Sequence, residues 1–254
     1  MPPLADLNRP LYDALTACDA EAVRRALVGV DPNDLAALST RSLSFLCALL
    51  AADGDDDDET EEYALDKERA DPAACCVALL QAGASPHGPP GDSPLVYAVR
   101  GDYPQVVNLL LEAGADVNAR QLFNGNITVL HISALYGKTG SVAALLAAGA
   151  AVDARTSNGK TPLALAIPKG EAYHVIHTKL LRAGATLPES IDVIIDDEPV
   201  AIPYLEKIQL AGGFRRYETQ VTKSLARIFI PKFSKLPTEV IPTIVQFWAH
   251  VGDY

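Results

Sequence analysis

His174 and His177 lie three residues apart, a spacing that sets two imidazoles on one face of a helix, where they would begin a metal site. No Cys, Asp or Glu is read as completing the ligand set, so no metal is expected. Cys75 and Cys76 are adjacent at the start of a leucine-rich stretch. With Cys18 and Cys47 they form neither a C-x-x-C nor a disulfide framework, and they read as reduced, buried small hydrophobes of a cytoplasmic or nuclear protein. Gly212-Gly213 is a turn, too short to cradle a phosphate. Residues 53 to 62 hold eight acids but lack the alternating ligands and central glycine of a calcium loop. There is no G-x-S-x-G, no H-E-x-x-H and no carboxylate pair in a pocket-forming context. No enzyme activity and no cofactor are therefore expected, and the chemistry to look for is recognition.

The framework for that recognition shows in the composition. The chain has 254 residues, is 49% hydrophobic and carries a net charge of −11. The eight acids of residues 53–62 account for most of that charge, since the remaining 24 acids against 21 bases leave −3. Like charges so dense repel one another and bury nothing, so the segment reads as a solvated loop inserted into the fold over residues 53–71. Its other reading is a contact with a basic partner or with the chain's own basic tail. No stretch approaches the roughly 18 uncharged apolar residues of a membrane span, and the first residues lack the pattern of a signal peptide.

Periodicity organises the rest. Gly83-Ala84, Gly114-Ala115, Gly149-Ala150 and Gly184-Ala185 recur at steps of 31, 35 and 35 residues, each after a leucine-rich run. Upstream lie Ser93-Pro94-Leu95, Thr128-Val129-Leu130-His131 and Thr161-Pro162-Leu163, spaced 35 and 33. Ser or Thr caps a helix, Pro is tolerated at its first position, and Gly takes the left-handed conformation after its last. A short helix, a turn such as Tyr136-Gly137-Lys138, a second helix and a polar hairpin finger follow from that punctuation.

These residues resemble the ankyrin repeat, with Ala113 to Arg120 and Asn158 to Leu163 closest to its pattern. The resemblance implies an all-α ankyrin-repeat solenoid of about five repeats over residues 1–187. The first runs from Arg9 to about Asn33 with its turn at Cys18-Asp19, and the second from about Thr40 to Ala84. It also implies that His131 makes hydrogen bonds between repeats. The family grips a partner protein on the concave side formed by fingers and first helices, so the positions not needed for stacking become candidate contacts. These are Tyr97, Arg100, Tyr103, Ile132, Tyr136 and Lys138 on first helices, and Arg120, Phe123, Arg155 and Asn158 on fingers.

After Thr186 the pattern stops, and residues 188–254 read as a helical extension that caps the array. A helix is expected from Val200 to Ala211, and a second from Tyr217 to Ile230. Leu236-Pro237-x-Glu239-Val240 followed by Ile244-Val245-x-Phe247-Trp248 resembles the opening of an F-box, which docks on a Skp-type adaptor of cullin-based ubiquitin ligases. By that resemblance Leu236, Pro237, Val240, Ile244, Val245 and Trp248 would face the adaptor. Ser224-Leu225-x-Arg227 resembles the start of a SOCS box, which recruits an elongin-type adaptor. Seven Lys or Arg and eight aromatics from Val200 onward bring nucleic acid to mind, but the aromatics follow helical spacing and the chain is acidic overall. The expected partners are proteins, with neither nucleic acid nor membrane among them.

Overall fold

Proline at the first helical positions and glycine just past the last punctuate this chain, and in the computed structural model they bound the helices accordingly. The structure describes residues 9–52, 71–87, 93–121, 125–188, 193–195, 198–200 and 203–229. They fall into two compact units, residues 1–162 and 163–254. The acidic insertion lies outside the described residues, except for Asp71, which caps a helix.

The first unit holds eight helices among its described residues. They are α1 (Arg9–Thr16), α2 (Ala20–Leu27), α3 (Pro32–Ala52), α4 (Pro72–Gln81), α5 (Pro94–Arg100), α6 (Pro104–Glu112), α7 (Val129–Leu135) and α8 (Thr139–Ala147). Helices α1, α3, α5 and α7 stack in one layer, and α2, α4, α6 and α8 in a second. Each layer buries the face that a lone helix pair would leave in water. Between α6 and α7, β1 (Arg120–Gln121) and β2 (Ile127–Thr128) form an antiparallel ribbon, pairing Arg120 with Thr128 and Gln121 with Ile127.

The second helices share one register. Leu79, Leu110, Leu145 and, in the second unit, Leu180 are all fully buried, each worth roughly 1.5–3 kcal/mol of burial. Their carbonyls close the helix ends: Ala84, Ala115, Ala150 and Ala185 each donate an N–H five residues back to one of these leucines at 2.9–3.0 Å. The intervening glycines sit at φ of +90, +98, +83 and +99°, the left-handed C-terminal cap that the Gly-Ala periodicity predicts. The turns within the α1–α2, α5–α6 and α7–α8 pairs are equally regular. Cys18, Asp102 and Gly137 take equivalent positions at φ of 47, 54 and 72°. Gly101, beside that turn in the third repeat, has no room for a side chain, because a Cβ would meet the Leu50 carbonyl oxygen of α3.

The second unit begins within α9 (Pro162–Ala166), continues through a 3-10 segment (Ile167–Tyr173) broken at Gly170 (φ 71°), and reaches α10 (His174–Arg182). Strands β3 (Val193–Ile195) and β4 (Glu198–Val200) form a hairpin, followed by α11 (Pro203–Leu210) and α12 (Phe214–Phe229). Leu205, Ile208 and Phe214 are buried. The Tyr204 ring lies 4.2 Å from His174 and 5.7 Å from Tyr217, its hydroxyl is 3.1 Å from the Thr178 hydroxyl, and Arg182 pairs with Glu218 at 3.4 Å. Helices α11 and α12 thus pack on α10.

Three local expectations are corrected. The second repeat, expected from about Thr40, opens at Pro32, because the Asp31 carbonyl accepts from the Asp34 and Leu35 N–H groups and a helix of 21 residues starts there. The helix expected from Val200 begins at Pro203, since Glu198 to Val200 pair as a strand. Ser93 makes no side-chain cap bond, whereas the Thr128 hydroxyl accepts the His131 N–H.

Candidate protein-binding surface

His131 shows how the fingers and first helices are tied together. Its Nδ1 lies 3.2 Å from the Thr128 N–H and 2.7 Å from the Thr128 hydroxyl, while Nε2 lies 3.0 Å from the Lys160 carbonyl. A carbonyl only accepts and an amide N–H only donates, so the ring is neutral with its proton on Nε2. Burial pushes its pKa below 6.5, with the Lys160 carbonyl opposing that shift and Arg120 adding to it. The implied bond between repeats is present.

Other links of the same kind were not read from the sequence. The Asp102 carboxylate accepts both the Ser141 N–H and its hydroxyl at 2.8 Å. The Asn118 side chain accepts the Ala151 N–H at 2.8 Å. The only signal for Asn118 was its place in the finger motif, and for Asp102 its place in the turn.

Arg120 and Arg155, chosen from the sequence as contacts, also brace the fingers. Arg120 Nη1 donates to the Asn126 carbonyl at 2.9 Å within its own finger and to the Arg155 carbonyl of the next at 3.2 Å. Arg155 Nη1 donates to the Gly159 carbonyl at 3.0 Å, and the Ser157 N–H to the Gly125 carbonyl at 2.8 Å. Both arginines and Asn158 remain exposed. On the first-helix side Tyr136 is 50% exposed, an unusual degree for an aromatic, while Tyr97, Arg100, Tyr103 and Lys138 are half-buried. Ile132 is not a surface residue: at 2% exposure it belongs to the core, because the position after His131 faces the neighbouring helices. Phe123 and the six residues of the F-box resemblance lie outside the described residues.

The two histidines of α10 part company. His174 meets the Tyr204 ring edge-on, whereas His177 is fully buried, with neither ring nitrogen in hydrogen-bond geometry among the described residues. His177 occupies the register that Cys76, Val107 and Val142 fill in the preceding repeats, all of them buried. Burial lowers its pKa, the Ala166 carbonyl opposing in part and His174 adding to the lowering. Cys75 and Cys76 are likewise core residues. The Cys75 thiol is raised by its contact with the Cys18 thiol and by burial, and Cys76 is pushed up to about 12 by burial. No group of three or more His, Cys, Asp or Glu among the described residues is arranged to hold a metal ion.

Helix pairs stacked in two layers, with braced fingers projecting from them, define a helical repeat protein of the binding kind. More narrowly, the fold is an all-α ankyrin-repeat solenoid, and residues 90–121 match the ankyrin repeat family. The chain is 41% identical over 102 residues to the ankyrin repeat and KH domain-containing protein mask-1 of Caenorhabditis elegans, covering 40% of this chain and 4% of that protein. It is 35% identical over 79 residues to the E3 ubiquitin-protein ligase KEG of Arabidopsis thaliana, covering 31% and 5%. The chain thus matches about a twentieth of the length of either relative. Ankyrin repeats are protein–protein interaction modules and generally not enzymes. Among the described residues no helix is long and apolar enough to cross a membrane.

Proposed function

We propose that this chain is a scaffold that holds a partner protein on the side formed by its fingers and first helices. Residues 1–187 would serve as the ankyrin array and 188–254 as a helical extension. The observation that carries the reading is the half-exposed Tyr136 on the first-helix side, in a repeat whose finger is fixed to the next by side-chain and backbone bonds. A rigid, exposed aromatic contributes binding area at little cost in conformational entropy. Proximity labelling with the full chain, compared with a Tyr97→Ala/Tyr136→Ala variant, tests it. Proteins enriched with the parent and lost with the variant, at unchanged melting temperature, support the reading. An identical set from both sinks it.

A second reading makes the chain a substrate receptor of a cullin-type ubiquitin ligase, with Leu236, Pro237, Val240, Ile244, Val245 and Trp248 holding a Skp-type or elongin-type adaptor. Its support is the Leu-Pro-x-Glu-Val sequence at 236–240, beside a partial likeness to a protein named as a ubiquitin ligase. A pull-down of the full chain against a truncation at Ile230 separates the two readings. Adaptor and cullin must appear with the full chain alone.

A further inference from the structure

The two braced fingers carry a charge opposite to that of the whole chain. Residues 116–128 and 151–160 hold three Lys or Arg (Arg120, Arg155 and Lys160) and two acids (Asp116 and Asp153), in a protein of net charge −11. One of those acids, Asp116, already accepts the Asn118 N–H. Among the described residues neither Arg120 nor Arg155 is paired with a carboxylate, and Lys160 is exposed on the same finger as Arg155.

The two guanidinium groups are also held in place. A surface arginine ordinarily samples many rotamers, and fixing them opposes binding. Here Nη1 of each is already bonded to backbone carbonyls, which leaves most of the five N–H donors of each fork for an incoming acceptor. Carboxylates match that fork in a bidentate fashion. A long polyanion would meet the negative field of the rest of the chain, whereas a short run of Asp or Glu needs only the finger side.

We propose that Arg120 and Arg155 form a carboxylate-binding pair, docking an acidic segment of a partner protein across two adjacent fingers. This rests on the reading of the finger side as the partner surface. The probe is a fluorescein-labelled ten-residue glutamate peptide, with a ten-residue glutamine peptide as control, titrated with the full chain and followed by anisotropy at low salt. The glutamate peptide is expected to bind, to weaken with added salt, and to lose roughly tenfold or more in affinity in the Arg120→Gln/Arg155→Gln variant.

Arg155→Gln alone guards against a folding defect, because among the described residues the Arg155 guanidinium bonds within its own finger. It should weaken binding several-fold at unchanged melting temperature. Equal binding by parent and variants, or no binding at all, overturns the proposal. So does a ten-nucleotide thymidine oligomer that binds more tightly with the same arginine dependence. Dimerisation of the full chain that the double variant abolishes would make a second copy the occupant and likewise overturn it. If proximity labelling still reports a partner lost with Tyr97→Ala/Tyr136→Ala, the scaffold reading survives the failure of this one.

Discussion

Two histidines buried in this chain behave differently from their free counterparts, and both make stability depend on pH. The folded pKa of each is lowered below 6.5, so the unfolded chain binds protons more readily than the folded one. Stability attributable to them is therefore full above pH 6.5 and is lost as the pH falls from there towards their folded pKa values. Denaturant melts between pH 7.5 and 5 should show this, with a slope of at most about 1.4 kcal/mol per pH unit for each histidine. His177→Val should flatten that slope, because valine fills the register that Val107 and Val142 fill and carries no titrating ring. A slope unchanged in H177V would place the pH dependence elsewhere. The role of His131 was legible from its place in the repeat pattern. That of His177 was not, since its register emerges only once the helix phase is known.

Among the elements, two glycines serve for opposite reasons. Gly149 lies at φ +83° with open space where a Cβ would go, so its requirement is purely conformational. Gly149→Ala should cost about 1–2 kcal/mol and Gly149→Asn less, since Asn tolerates the left-handed region. Gly101 has an ordinary helical φ of −74°, but a Cβ there would overlap the Leu50 carbonyl. Gly101→Ala should cost about 1–3 kcal/mol by forcing α5 away from α3, and an Asn there should be worse than Ala, the reverse of the order at Gly149. Calorimetric melting of the four variants checks the two orders. The repeating Gly-Ala pairs made the first kind of glycine readable in advance. The second kind depends on a carbonyl some fifty residues away, and no local pattern announces it. The same blindness hid the early start of α3, where the Gly-Val-Asp-Pro-Asn run at 29–33 read as the close of the first repeat and also leads into a long helix.

On the scale of the molecule, the first unit is a row of like parts joined by few polar links, and damage to one link should stay local. Asp102→Ala removes both bonds to Ser141. Hydrogen exchange should then rise in α5 through α8 and stay unchanged in α1 and α2, whereas a uniform rise would mean the unit melts as one block. The repeated architecture was visible in the sequence because each part restates the same punctuation. The β3–β4 hairpin and the bonds between fingers were not, since they depend on pairings that no single repeat spells out. The caps at Gly114 and Gly149 close with the same two backbone bonds, and they are one full period of 35 residues apart. A gene can therefore lose or duplicate the stretch from one cap to the next without breaking a backbone bond that either cap makes.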